Sequence, residues 1–207
     1  MKCWNCQTEA AGNDLCPACG KVQPLASGAT LFDVLGLPRG VEVDGPALER
    51  AYRERSLRVH PDRVGKEDGR ERRLAAERTA LLNEAYKTLR SPEARAFYLL
   101  KLHGVDLLKD EARAVPVPPA LLEEALELRE QLEDAQGRGD EETVTALSDR
   151  VRTRAATALS AAQSALRRLE RVPSDEAARS EAAAAMARLR YHRRFLDAVD
   201  AGDEEEI

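Results

Sequence analysis

Aromatic residues are scarce in this sequence: only 4% of its 207 residues are Phe, Trp or Tyr, whereas 34 are alanine. Aromatic residues are typical of β-strands and alanine is the strongest helix former, so this composition disfavours a large sandwich or barrel and predicts an all-α fold. Long hydrophobic runs are also missing. The uninterrupted apolar stretches are short, such as the six residues Ala182–Ala187, and such stretches cannot span a bilayer.

The sequence also lacks an excess of positive charge. Its net charge is −5, from 32 basic and 37 acidic residues, which argues against a general nucleic-acid binder and requires any basic recognition surface to be local. The segment Met1–Cys6 has neither an apolar signal core nor an Arg/Ser-rich leader. We therefore predict a cytoplasmic protein, or one already stripped of a targeting segment, with no membrane partner. The Ala- and Arg-rich composition favours a bacterial cytoplasm.

Cysteine is absent after residue 19, and the four cysteines form a C-x2-C-x9-C-x2-C pattern: Cys3, Cys6, Cys16 and Cys19. Two such pairs can supply four thiolates to one tetrahedral ion, at about 2.3 Å per bond. Disulfides are disfavoured in a reducing compartment, and a thioredoxin-like redox pair needs a βαβ setting that is absent from the sequence. The pattern predicts one structural zinc ion, which supplies the folding energy of a ribbon over residues 1–24. An iron–sulfur centre is the alternative.

Helical periodicity and helix breakers divide the rest of the chain into two further domains, residues 30–105 and 118–201. Breakers between His103 and Pro119 mark the linker between these domains. The hydrophobic spacing predicts helices over Leu31–Leu37, Pro46–Val59, Gly69–Leu89, Pro92–Leu102, Ala120–Gln136, Asp140–Arg171 and Ser174–Asp200. Because short turns join the last three helices, we expect them to form an antiparallel three-helix bundle.

A His-Pro-Asp tripeptide, His60–Asp62, lies in the break between the second and third predicted helices. Residues 46–63, which are the helix before it and the start of the loop, carry a local charge of +2, since five arginines there (positions 50, 53, 55, 58 and 63) stand against Glu49, Glu54 and Asp62. Together with Leu31–Leu37 and Ala51–Arg53, this arrangement resembles the J-domain, the module through which DnaJ-type co-chaperones activate DnaK-family ATPases. A basic helix can attract and hold an acidic surface of such a partner.

The J-domain resemblance implies a set of chaperone-binding residues: His60, Pro61, Asp62, Arg50, Arg53, Arg58 and Arg63. In that family the histidine and the aspartate act allosterically, by favouring the hydrolytic state of the partner ATPase, and not as acid–base catalysts. One position departs from the family pattern. Arg55 stands where J-domains commonly carry an apolar core residue, so either the packing differs there or the arginine extends its head group to solvent.

The sequence after the J-domain narrows the resemblance. Residues Ser91–Ala96 lead into Tyr98–Leu107, and this junction resembles the one in HscB-type co-chaperones of iron–sulfur cluster assembly. The segment Leu121–Leu132 (LLEEALELREQL) resembles the start of their C-terminal domain, and the four-cysteine ribbon resembles an extension found on some members. The resemblance implies two partners, a DnaK- or HscA-type chaperone ATPase and the IscU-type scaffold that carries the nascent cluster.

The predicted bundle carries apolar residues that its own core does not need. Leu122 and Leu126 lie about 100° around their helix from its core stripe, and acidic residues flank them. Tyr191 and Phe195 are also displaced from the stripe of the last helix, which is Ala182, Ala185, Leu189, His192, Leu196 and Val199. An apolar patch rimmed by acid indicates a partner site, although the two leucines could instead complete a wide core face or pack on the J-domain. With the resemblance, the scaffold-binding candidates are Leu122, Leu126, Glu127, Glu130 and Tyr191.

The sequence offers no nucleophile, phosphate-binding loop or carboxylate pair on which an enzyme could be based. We therefore predict a non-enzymatic adaptor that stimulates the chaperone ATPase with one domain and presents the scaffold with another. Two alternatives stay open, a general J-domain co-chaperone for unfolded clients and a zinc-ribbon nucleic-acid-binding protein. The ribbon argues against the second, because Lys2 and Lys21 are balanced there by Glu9 and Asp14. The oligomeric state is left open.

Overall fold

A computed structural model describes residues 1–10, 14–60, 68–107 and 119–205, and their regular secondary structure is helical. Those residues form two isolated β-bridges near the N-terminus but no strand, so the all-α prediction is confirmed. The helices are α1 Leu31–Leu35, α2 Gly45–Val59, α3 Gly69–Arg90, α4 Pro92–Leu102, α5 Pro119–Gly137, α6 Glu141–Arg171 and α7 Glu176–Glu205. No helix in the described part of the chain is long and apolar enough to cross a membrane. The chain divides into two compact units, Met1–Arg95 and Ala96–Ile207.

The ends of α1 show how caps and breakers set the helix boundaries. A capping box opens the helix: Thr30 Oγ1 accepts from the Asp33 N–H (3.3 Å), and Asp33 Oδ2 accepts from the Thr30 N–H (2.8 Å). The helix ends two residues earlier than predicted because Gly36 takes the left-handed conformation, with φ 67°. Its N–H turns back to the Asp33 carbonyl (3.1 Å), which closes the last turn.

The first unit packs α1 and α2 against α3 around a small apolar core. Its most deeply buried side chains include Phe32, Leu35, Leu48, Val59, Ala75, Leu82, Ala85 and Leu89. The rings of Tyr52 on α2 and Tyr86 on α3 stack with their centroids 4.4 Å apart. Buried Arg95 donates to the carbonyl oxygens of Val41 (2.8 Å) and Leu89, so it ties the loop before α2 to the end of α3.

In the second unit, α5, α6 and α7 pack together as the expected three-helix bundle. Its core includes Leu128, Leu132, Leu147, Val151, Phe195, Leu196 and Val199. All six positions of the predicted stripe on the last helix are buried. The prediction for Phe195 is wrong, since this side chain is buried in the core: the inward face of α7 is wide enough to include residues beside the stripe.

Candidate metal centre and partner-binding surfaces

The four-cysteine ribbon consists of two copies of one turn, offset by 13 residues. In each copy the N–H of the first cysteine, Cys3 or Cys16, donates to the carbonyl five residues further on, at 2.8 Å in both cases. The residue after the second cysteine of each pair has a positive φ, 63° at Gln7 and 71° at Gly20. Only the second copy carries the glycine that this backbone conformation favours. The repeat places the two cysteine pairs in similar backbone turns.

These turns bring the four sulfur atoms together. Cys3 Sγ lies 3.7 Å from Cys19 Sγ, Cys6 Sγ lies 3.6 Å from Cys16 Sγ, and all four lie within 4.8 Å of one another. Four thiolates at about 2.3 Å from a central ion lie roughly 3.8 Å apart, at the corners of a tetrahedron. The arrangement therefore fits one tetrahedral metal ion, and each close sulfur pair takes one cysteine from each turn.

The pKa values of Cys3 and Cys16 indicate that the clustered thiols ionise together only with a cation among them. Burial opposes ionisation of Cys3, but the N–H groups of Cys6 and Asn5 and the neighbouring sulfurs outweigh it and lower the pKa of Cys3 to about 6. At Cys16 the N–H of Cys19 favours the thiolate, yet burial and the sulfurs of Cys6 and Cys19 raise the pKa to about 11. Crowded thiolates repel one another, so full ionisation of the cluster needs a positive ion among the sulfurs.

A buried carboxylate joins the ribbon to helices α2 and α3. Both oxygens of Asp14 accept from Arg55 Nη1, each at 2.9 Å, and Asp14 also accepts from Arg78. Burial lowers the pKa of Arg78, and the charge of Asp14 opposes that shift. The contact explains the unusual arginine at position 55, whose head group lies on the ribbon. The Arg55 guanidinium also lies against Gly36, where an added Cβ would stand 3.3 Å from Arg55 Cζ.

A second polar contact links the ribbon to the start of α3. Buried Glu71 accepts from Lys21 Nζ (2.5 Å) and from the Val22 N–H (3.2 Å), and it raises the pKa of Lys21. The Arg70 guanidinium lies 4.8 Å from the centroid of the Trp4 ring. In the sequence, Lys21 and Asp14 count toward a balance of charge within the ribbon, but in the structure helix residues are their partners. The arginine at position 55 was the one sign in the sequence of a contact between the ribbon and the helices.

The surface of α2 carries the predicted chaperone-binding residues that the structure describes. Four of them are exposed, on α2 or as its C-terminal cap: Arg50, Arg53, Arg58 and His60. Arg53 Nε donates to Glu49 Oε1 (2.8 Å), one turn away on the same helix. The other three lie outside the described residues: Pro61, Asp62 and Arg63. The described part therefore presents three arginines and a histidine on one helix and its end.

A groove of ≈ 620 Å³ is lined by residues of α5 and α7. Leu122 and Leu126 line it from α5 and are exposed, while half-buried Tyr191 lines it from α7. The structure thus brings together three of the five predicted scaffold-binding residues, and the two leucines do not complete the bundle core. Glu127 and Glu130 are exposed on α5, but they are not among the residues that line the groove.

The charged side chains at the groove differ from those expected, which were acidic. Four that line it are Glu124, Arg129, Glu133 and Arg194, so both signs are present. Helical spacing could have revealed two of these from the sequence, since Arg129 and Glu133 follow Leu126 by three and seven residues and so share its face. His192 also lines the groove and is buried, as expected of a structural histidine. Burial, and then the charges of Arg154 and Arg188, lower its pKa.

Curated relatives resemble between half and two thirds of this chain. A co-chaperone protein HscB homolog from Ralstonia nicotianae is 48% identical over 111 residues, which cover 54% of this chain and 62% of the relative. An iron-sulfur cluster co-chaperone protein HscB homolog from Arabidopsis thaliana is 37% identical over 133 residues, covering 64% of this chain and 51% of the relative. The chain therefore spans between half and two thirds of these relatives.

Two solved structures share the fold. Human co-chaperone protein HscB superposes with a TM-score of 0.82 over 98% of both chains, at 24% identity. Chaperone HscB from Vibrio cholerae superposes with a TM-score of 0.68 over 86% of this chain and 100% of its own, at 28% identity. The coverage by the human structure shows that the shared fold includes the ribbon.

Two family models match separate parts of the chain. The DnaJ-domain model matches residues 30–98, which contain α1, α2 and α3, and this match makes the chain a J-domain protein. The model described as the HSCB C-terminal oligomerisation domain matches residues 117–200, which contain α5, α6 and most of α7. The chain belongs to the family of HscB-type J-domain co-chaperones.

Proposed function

We propose that this protein is a non-enzymatic co-chaperone that stimulates a DnaK/HscA-type chaperone ATPase and delivers an IscU-type iron–sulfur cluster scaffold to it. The family supports the proposal, and the Arabidopsis relative is named an iron-sulfur cluster co-chaperone. The observation that carries it is the separation of two surfaces. The groove with two exposed leucines belongs to one compact unit, and the basic surface that ends at His60 belongs to the other. Two separate surfaces suit a protein that holds two partners at once.

The chaperone would be held by α2. Three exposed arginines attract an acidic surface and orient it, and this electrostatic attraction raises the rate of encounter. His60 then acts by contact, because a group that binds the hydrolytic state of the ATPase more tightly than its other states shifts the population toward hydrolysis. No proton transfer by His60 is required.

The scaffold would be held at the groove between α5 and α7. Leu122 and Leu126 offer apolar area that is already solvent-exposed, and Tyr191 adds an aromatic side chain, a residue type common at the energetic centre of interfaces. Charged side chains of both signs line the same groove and can select for partner charges that complement them. Glu127 and Glu130 stay predicted contacts outside the groove.

We propose zinc as the metal of the ribbon. Four cysteines that surround one point leave no open ligand position, which is typical of structural zinc sites. When bound, the ion supplies folding energy to a segment that is too short to form its own core. An iron–sulfur centre is the alternative for the same ligands.

The substitution His60→Gln tests the proposed function. Stimulation of the chaperone ATPase should be lost, because the exposed contact that favours hydrolysis is removed, while the affinity for the scaffold stays unchanged. Glu54→Gln, at another exposed position on α2, should retain stimulation. Steady-state ATP hydrolysis and calorimetric titration with scaffold measure the two effects. If His60→Gln lost both activities in a folded protein, the two surfaces would not be independent.

A further inference from the structure

Charged side chains that are almost fully buried fix the ribbon to the J-domain. Asp14, Glu71 and Arg78 are 8%, 5% and 6% exposed, and their ion pairs cross from the ribbon to α2 and α3. Buried charges are costly unless they are paired. Separation of the ribbon from the helices would leave such charges without their partners, so the ribbon and the helices stabilise each other.

Two of these contacts, at Arg55 and Glu71, lie near the ends of the two helices that flank the His-Pro-Asp tripeptide, whereas Arg78 lies in the interior of α3. Arg55 is about one turn from the end of α2, and Glu71 is in the first turn of α3. Asp68 is the N-cap of α3; its carboxylate accepts from the Glu71 N–H (3.1 Å) and lies 3.6 Å from Lys21 Nζ. The ribbon therefore contacts both helix ends between which the sequence places the tripeptide.

The ribbon residues that make these contacts belong to the metal-binding turns or lie next to them. Lys21 and Val22 follow Cys19 closely, and the Lys21 carbonyl accepts from the Cys16 N–H (2.8 Å). In the described part of the ribbon the buried apolar cluster consists of Cys3, Ala10 and Cys16. A cluster of this size cannot hold the turns without an ion. Loss of the ion would therefore release Lys21, Val22 and Asp14 from the positions in which they pair with α2 and α3.

We propose that the ribbon is a metal-dependent clamp on the J-domain. An ion on the four cysteines holds α2 and α3 at the end that activates the chaperone, and loss of the ion frees that end. The link to activation rests on the proposed function, whereas the clamp itself does not. Asp14, Lys21, Glu71 and Arg78 are then positioning residues, which act on the chaperone-binding surface through the two helices. The groove belongs to the other unit and should not respond.

Hydrogen exchange of the full chain, followed by mass spectrometry, tests the clamp. Removal of zinc by a chelator should raise exchange over residues 69–82 by roughly 100-fold, because buried charge pairs that protect this segment are lost. Amides of α6 should keep their rates, and added Zn²⁺ should restore the original pattern.

A pair of variants isolates the buried charges in the metal-loaded protein. Asp14→Asn should also speed exchange over residues 69–82, since it leaves Arg78 buried without its counter-charge. Glu77→Gln is the matched control on α3, because Glu77 is exposed and its ion pair with Arg73 (3.7 Å) lies at the surface. Its exchange should match that of the wild type.

Unchanged exchange over residues 69–82 after zinc removal would overturn the clamp, and so would equal rates in Asp14→Asn and wild type. Measured on the same samples, chaperone ATPase stimulation should fall in Asp14→Asn, while scaffold affinity stays constant. Faster exchange with undiminished stimulation would overturn the link to activation. If the metal-loaded wild type stimulated no DnaK-type ATPase at all, the proposed function would fail while the exchange result still stood.

Discussion

Replacement of Leu122 and Leu126 together by alanine should weaken scaffold binding. The two residues are 43% and 62% exposed in the free protein, so much of their apolar area is still available to a partner. Full burial of a leucine side chain contributes about 1.5–3 kcal/mol. Scaled by the exposed fractions, the pair contributes roughly 1.5–3 kcal/mol to binding, which corresponds to a 10- to 150-fold increase in Kd.

The same exposed fractions mean that the fold should tolerate the change. Each groove substitution should alter the free energy of unfolding by no more than about 1 kcal/mol. Leu128, which is buried in the bundle core, provides the contrast, since Leu128→Ala should cost about 2–5 kcal/mol. Leu57, 60% exposed on α2, is the matched control in the other unit.

Isothermal titration calorimetry with purified scaffold measures the binding loss, and urea unfolding of each variant measures stability. Leu57→Ala should bind the scaffold as the wild type does. An unchanged Kd in a stably folded double variant would refute the assignment of the groove. An equal loss of affinity in Leu57→Ala would show that the effect is not specific to the groove.

Two further predictions concern stability. Burial, helped by two nearby arginines, lowers the pKa of His192 below 6.5 in the folded state. The unfolded chain therefore binds the proton more readily than the folded protein does. As the pH drops below about 6.5, the free energy of unfolding should decrease by up to about 1.4 kcal/mol per pH unit. Urea unfolding at about pH 7.5 and 5.5 should show a larger loss in the wild type than in His192→Gln, and equal losses would contradict this reasoning. Gly36→Ala should destabilise the first unit by about 1–3 kcal/mol, through its left-handed backbone and its contact with Arg55. Gly28→Ala, at φ 79° with open space around it, carries the backbone cost alone, so equal shifts in Tm for the two glycine variants would argue against the Arg55 contact.

The helices could be predicted from the sequence because their signals are local. Helix α4 begins at Pro92 and ends at Leu102, as predicted. The other helices begin and end within a few residues of the expected positions, apart from the C-terminal end of α7. The shift at the end of α1 also has a local cause, the left-handed Gly36. The spacing of the cysteines was equally informative, since two short turns are enough to bring four sulfurs together.

The contact between the ribbon and the helices could not be predicted in the same way. Asp14 and Arg78 are 64 residues apart in sequence, and their pairing depends on how the first unit folds as a whole. Sequence reasoning could identify Arg55 as an arginine at an apolar position, but not the carboxylate that it meets.

The groove was predicted in part. The displacement of Leu122 and Leu126 from the core stripe was enough to indicate exposed apolar residues, and the structure exposes both. Phe195 has a similar displacement but is buried, because the positions of the neighbouring helices decide how wide a face each helix buries. Sequence periodicity alone does not contain that information.

The rate of ATP hydrolysis by a DnaK/HscA-type chaperone tests the central claim most directly, measured alone, with this protein, with an IscU-type scaffold, and with both. Synergy is the predicted result: the increase with both proteins should exceed the sum of the two separate increases, because one molecule brings the partners together and couples their binding. His60→Gln should abolish that synergy. Increases that only add, under conditions where both partners are bound, would contradict the claim that this protein couples the scaffold to the chaperone.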